Sequence, residues 1–475
     1  MANAERCRRV GPWRRGLLAG AVLLGLALTA SAQGPAANSF FRRQQFLDEA
    51  TRQRLDADIP ARQRVLLEGG GYFIPQWQQY DDIRNQSNYR QMDLRLWGQL
   101  VVDEVHRVYA RMRLVHTNFG PGDSPFSWNQ DLEGPNLDQG FYELHLSRAA
   151  EKYFDQTWPV DVRVTLGRQF VEFGQGMTLS KVLDGGTVRA ETGNWRVTAL
   201  LANTIKSGYN IDHSLQVAGH MDRLFSGFQV DFFGLSGHQP FFYFFHQKDH
   251  TDEEPAGVAQ EFEYDSSYIG FGSTGKVVED LRYATEVVFE WGHGENPLPG
   301  GGNTIRAFAF DQLFEYFIRT PQEPVLSVEY AMATGDDDRL VATDTVGGNA
   351  AGRDNAFLGF GYLNTGYAFV PEFTNLQFVR MGGRFKPLPD HEWFKSLELG
   401  TDFFLFWKQK KGAPVSDFRA NQSTRDLGHE VDIYANWRIL SDVSLMARYA
   451  RFWTGDAFGD GEKRDYLYAG LVYSF

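Results

Sequence analysis

Apolar and polar residues alternate one for one along most of this chain. In the last twelve residues, RDYLYAGLVYSF, one side of an extended chain carries Phe475, Tyr473, Leu471, Ala469 and Leu467. The other side carries Ser474, Val472, Gly470, Tyr468 and Tyr466. Successive side chains of a strand point to opposite faces, so a period of two predicts a β-strand. QMDLRLWGQLVV sets Met92, Leu94, Leu96, Leu100 and Val102 against Gln91, Asp93, Arg95 and Gln99. VHRVYARMRLV follows it after Asp103-Glu104 and sets Arg107, Tyr109, Arg111 and Arg113 against Val108, Ala110, Met112 and Leu114, which predicts a hairpin. VDVRVTLGRQF, WRVTALLA, LRYATEVVFEW, SLELGTDFFLFW, HEVDIYANWRI and VSLMARYARFW continue the pattern. A soluble sandwich also alternates, but an evenly apolar face backed by arginines and carboxylates fits a wall between lipid and water.

The links between these segments alternate too. Short ones fall near Asp103, Gly193, Gly237, Thr274 and Ser441. Long polar ones fall near residues 118–139, 207–222, 250–261, 292–303, 335–373, 409–427 and 455–463. Short turns at one rim and long loops at the other are the habit of outer-membrane barrels. The expected fold is therefore all-β: a transmembrane antiparallel β-barrel of about 18 strands over residues 65–475, with both ends periplasmic. In a closed barrel the final strand has no free edge, which accounts for an aromatic terminus that would otherwise invite edge pairing. Residues 33–64 are polar, with helix formers and a Pro60 stop, and predict a short helical or disordered periplasmic segment.

Composition narrows the class. Residues 1–32 combine Arg6, Arg8, Arg9, Arg14 and Arg15 with an apolar run from Gly16 to Ala30 and a small-residue Ala30-Ser31-Ala32 site, the pattern of a cleaved secretory signal. Cys7, the single cysteine, lies within it, so the mature chain would lack disulfides, thiol chemistry and cysteine-bound zinc. Loss of five arginines and one glutamate takes the formal net charge from −13 to −17. So acidic a chain is a poor general polyanion binder, and no nucleic-acid partner is expected. Beyond the signal no apolar run is long enough for a membrane helix, yet aromatics reach 15%, as aromatic girdles require.

Local chemical motifs are weak. GFGSTG (Gly270 to Gly275) has dinucleotide-loop spacing but leads into another strand, so a barrel turn is expected there. His246 and His250 beside Asp252 are read as solvated loop residues, and Asp336-Asp337-Asp338 as an acidic loop without calcium-loop spacing. No catalytic signature appears, so no enzyme, cofactor or metal is expected. The long link from Gly335 to Asn375 is partly apolar, and the sequence leaves open whether it folds into the pore or forms a surface loop.

The polar side of the strands is the stronger constellation. Parity turns Arg95, Arg107, Arg111, Arg113, Arg163, Arg196, Arg282, Arg380, Arg384, Lys386, Arg438 and Arg448 inward. Guanidinium forks hold carboxylates at two points and stay charged, so a stack of them would hand an acidic polymer along. Asp93, Asp161, Glu286, Glu290, Glu398, Asp402, Glu430 and Asp432 face the same way. Cross-strand ion pairs lining a wet interior are therefore the competing reading.

The closing run GHEVD, then RYARFWTGDAFG, then the aromatic last strand resembles the end of the alginate-export outer-membrane porins. VTLGRQFVEFGQG with LDGGTVRAETGNW is similar to that family's glycine-arginine-glutamine strand and hairpin, and AFLGFGYLNTGYAF is similar less specifically. The resemblance implies an 18-stranded barrel with an arginine-lined constriction that exports a polyuronate. It also points to Arg168 in LGRQF as pore-lining, although parity turns Arg168 outward unless a bulge follows Gly167. The sequence thus reads as a channel in the outer membrane of a Gram-negative (diderm) bacterium, carrying an anionic polysaccharide. Its expected partners are the polymer, outer-membrane lipid and periplasmic secretion proteins. A general porin for small solutes and a lipid-acting barrel enzyme are the alternatives.

Overall fold

The computed structural model describes residues 65–81, 86–205, 222–251, 263–295, 302–345, 348–459 and 461–475. The signal and the polar segment 33–64 lie outside the described residues, as do most of the link at 207–222 and Asp252. The first strands are β1 (Val65–Asp81), β2 (Gln86–Val102), β3 (His106–Phe119), β4 (Gln130–His145), β5 (Asp161–Phe173) and β6 (Leu179–Thr192). Then come β7 (Trp195–Asn203), β8 (Arg223–Phe232), β9 (His238–Asp249), β10 (Tyr264–Val278), β11 (Leu281–Glu295), β12 (Gly302–Phe317) and β13 (Val325–Ala333). The chain closes through β14 (Arg353–Asp354), β15 (Leu376–Phe385), β16 (Leu397–Lys408), β17 (Asp426–Arg438), β18 (Val443–Thr454) and β19 (Lys463–Ser474).

Apart from the two-residue β14, each strand pairs antiparallel with the next, and β19 pairs with β1. The result is a closed barrel of eighteen long strands. The terminal residue helps to close it: the Phe475 amide donates to the Gly71 carbonyl at 2.9 Å, and the Gly71 amide donates to the Phe475 carbonyl at 2.8 Å. No strand edge remains along that seam, which satisfies the backbone groups that lipid cannot.

Faces follow parity. On β2, Met92, Leu96 and Leu100 are exposed on the outer face, while Gln91, Asp93, Arg95 and Gln99 are buried within. The β2–β3 turn holds Asp103 and Glu104 at φ 57° and 60°, the left-handed pair that suits a tight hairpin. One short rim link carries a helix, α1 (Leu146–Phe154), tied to that turn by Arg148–Glu104 and Lys152–Asp103 ion pairs. The rim with the short turns and the chain's closing strand is the periplasmic one.

One turn moves. Gly270 to Gly275 is not a turn but part of β10, in unbroken register with β9 and β11. The hairpin reverses instead at Glu279-Asp280. The glycines serve close packing: a Cβ on Gly270 or Gly272 would meet the rings of Tyr243 and Phe241 at 2.1 Å.

Candidate functional site: the pore interior

The link between β13 and β15 folds into the barrel. Phe357 and Phe360 pack with Phe225, Phe245, Tyr268 and Val288, all on inner faces. Tyr367, Ala368 and Phe369 pack with Phe404, Phe406, Phe452 and Tyr466 on the far wall. Buried carboxylates anchor this strap. Glu430 accepts backbone N–H groups from Tyr367 (2.6 Å), Ala368 (2.7 Å) and Phe369 (2.8 Å). Glu290 accepts from the Leu358 N–H at 2.9 Å and from the hydroxyls of Tyr264 and Tyr268. Glu286 acts one step removed: it accepts from the Tyr243 hydroxyl and from the Gln175 N–H of the β5–β6 link, whose Gly176 and Thr178 carbonyls accept from the strap's Tyr362 and Phe360 N–H groups. Three lumen carboxylates that parity turned inward therefore hold backbone and tyrosines rather than arginines. The triple aspartate belongs to the same fold, since Asp336 accepts from the Asn355 backbone at 2.8 Å.

At mid-height on β2 to β4 the arginines are paired. Asp93 receives Arg95 at 2.9 Å and Arg113 at 2.8 Å. Asp138 receives Arg111 at 2.6 Å, with Arg95 at 3.6 Å. Asp138 reaches the lumen because the β3–β4 register slips between Arg111 and Met112, turning two consecutive residues inward. Across the barrel, Arg380 meets Glu329 at 2.5 Å beside buried Asp311, Asp402 and Asp432. Charge is thus biased by side: three guanidinium groups with two carboxylates on one wall, and one guanidinium group with four carboxylates on the other.

The periplasmic half differs. Arg163 holds Asp161 at 3.1 Å, Arg196 holds Glu191 at 2.8 Å, and Arg384 lies 3.7 and 3.8 Å from Glu315 and Glu398. Arg107 donates to Gln99 at 3.0 Å and lies over Phe141. Arg448 donates to Asn436 and to the carbonyls of Ala435 and Ala447. Arg282 lies 4.5 Å over Phe317. This half holds two further inward cations not singled out in the sequence: Arg189, directly opposite Arg163, and Lys276, directly opposite Arg282. Among the described residues Arg107, Arg189, Lys276, Arg282 and Arg448 have no ion-pair partner. Both newly found cations sit at inward parity, so alternation alone could have shown them.

Three positions stand apart. Arg168 is on the outer face in continuous register with Asp184, so no bulge follows Gly167. It forms a two-point ion pair with Asp184 (2.8 and 2.7 Å) and donates to the Leu137 carbonyl. Arg438 caps the Ser441 carbonyl at 2.8 Å in the rim turn, and Lys386 pairs with Glu323 there. His246 meets the Ser267 hydroxyl at 2.9 Å. A Ser147–Asp161–His145 set occurs at the start of α1, but serine and histidine both bond the aspartate. Nucleophile activation needs serine on histidine, so this set pins the helix.

A family model described as alginate export matches residues 79–471. The chain belongs to the alginate-export family. No curated protein matches it. Among solved structures, Pseudomonas aeruginosa OccK5 (OpdH) is similar at 10% identity, covering 86% of this chain and 98% of its own, with a TM-score of 0.56. OccK9 (OpdG) of the same organism is similar at 10% identity, 86% and 98% coverage and 0.53. The outer-membrane protein OprD from Pseudomonas aeruginosa is similar at 9%, 86% and 93%, and 0.52. At these identities the likeness is one of fold. This alginate-export family member is an outer-membrane channel of a Gram-negative bacterium.

Proposed function

We propose that the channel passes an anionic polysaccharide, a polyuronate of the alginate type, without catalysis. The observation that carries this reading is the set of five lumen cations in the periplasmic half with no ion-pair partner among the described residues. Unneutralised cations spaced along a water-filled wall suit a ligand that brings one carboxylate per sugar. The whole chain's negative charge does not oppose this, because a local field acts over about 8–10 Å at working salt. Partners in this reading are the polymer, outer-membrane lipid and periplasmic secretion proteins that deliver it.

A second reading, passage of small solutes, draws support from the aromatic strap and from the bias of charge across mid-height, where carboxylates predominate on one wall. Single-channel recording in a planar bilayer separates the two. Anion-selective current blocked by polymannuronate is expected. Unselective or cation-selective current indifferent to the polymer would remove the polyuronate and leave small-solute diffusion.

A further inference from the structure

We propose that the periplasmic mouth contains a preformed subsite, built on Lys276 and Arg282, that binds a carboxylate carried on a sugar ring. It rests on the proposed function only in choosing a uronate over other carboxylates. The site is a cavity of about 580 Å³ between the β8–β9 turn and strands β10 to β12, within the size range of small-molecule pockets.

Lys276 and Arg282 are direct cross-strand neighbours on the inner face. Like charges so placed repel, and a cross-strand pair of this kind normally destabilises a sheet. Here neither cation forms an ion pair among the described residues. Glu315 lies opposite Arg282 on β12 and lines the same cavity, yet the cation within reach of it is Arg384, at 3.7 Å. Arg282 is held instead over the Phe317 ring at 4.5 Å. That contact uses the face of the guanidinium and consumes none of its N–H donors, which stay available for two-point binding of a carboxylate. The remaining lining divides by chemistry. Gln239 and Thr274 offer neutral polar groups suited to sugar hydroxyls, while Phe233, Leu235 and Leu313 offer an apolar wall suited to the C–H face of a pyranose. A lone repulsive pair could be a tolerated surface accident. A repulsive pair inside a cavity with sorted polar and apolar walls has the composition of a binding site.

The test uses the full-length channel in planar bilayers with tetramannuronate added to one side at a time. Folding of each variant is checked by heat-modifiable migration. In the Lys276→Gln/Arg282→Gln variant, the on-rate of block from the periplasmic side should fall on the order of tenfold or more, as loss of a two-point charged contact implies. Block from the extracellular side should hold, and Lys276→Arg should behave as the parent. Equal periplasmic on-rates in parent and variant would overturn the subsite while leaving polyuronate passage intact. If tetramannuronate blocks neither protein, the polyuronate reading falls, and citrate becomes the probe. Citrate block of the parent that the variant loses would sustain a carboxylate subsite for small solutes. Citrate block equal in both, or absent from both, would overturn it.

Discussion

Single side chains in this wall answer to parity more than to motif. The family resemblance points to Arg168 as pore-lining, yet it stays on the outer face with Asp184 because the register runs on unbroken past Gly167. Arg168→Gln should leave ion selectivity unchanged. With Asp184 nearly half exposed, it should lower stability by at most about 1 kcal/mol, read from the denaturant midpoint of refolding in lipid vesicles. Asp93 is the contrasting case. It is buried and serves two guanidinium groups, so Asp93→Asn should lower stability by about 3–5 kcal/mol in the same assay. A shift under about 1 kcal/mol would mean that other partners carry the arginines. Asp138 could not have been found by alternation, because a bulge reverses its side. Arg189 could have been, since it keeps the inward alternation of Val-Arg-Ala in β6.

At the scale of elements, the strap between β13 and β15 changes what the inner faces are for. Phe404, Phe406, Tyr243 and Phe245 sit inside the barrel where a bare pore would place polar residues. They are aromatic because the strap dries them, and each buried ring contributes about 1.5–3 kcal/mol to that contact. The sequence carried a trace of this: FFLFW and PFFYFFH are apolar on both faces, which a lumen in water does not require. Glu430 is the strap's main tether. Glu430→Gln replaces one acceptor oxygen with a donor amide facing backbone N–H groups, so the strap should detach on that side. The expected result is higher single-channel conductance together with faster proteolysis within residues 334–375. Unchanged conductance would show that the aromatic contacts alone hold it. GFGSTG was misplaced for a related reason, since glycines suit either a turn or a wall that must admit neighbouring rings.

For the whole molecule, the expected selectivity comes from local fields inside a net-negative protein. Anion preference, measured as a reversal potential under a salt gradient, should be strong near 0.01 M salt and largely gone near 1 M, where the screening length falls from about 30 Å to about 3 Å. A preference that persists at high salt would point to size rather than charge. The sequence by itself determined the barrel, its strand parity and its closing residue. Lipid compels that outcome: the outward face must be mostly apolar, with polar side chains paired, and every backbone group must be paired, so a period of two written over eighteen strands admits one architecture. Which lumen charges are bare, which are paired and which hold the strap was decided only by the tertiary structure. Those outcomes depend on register, on one bulge and on contacts such as Glu430 with Tyr367 or Arg163 beside Arg189, between residues far apart in the chain. Alternation assigns a side to each residue, but it cannot assign a partner.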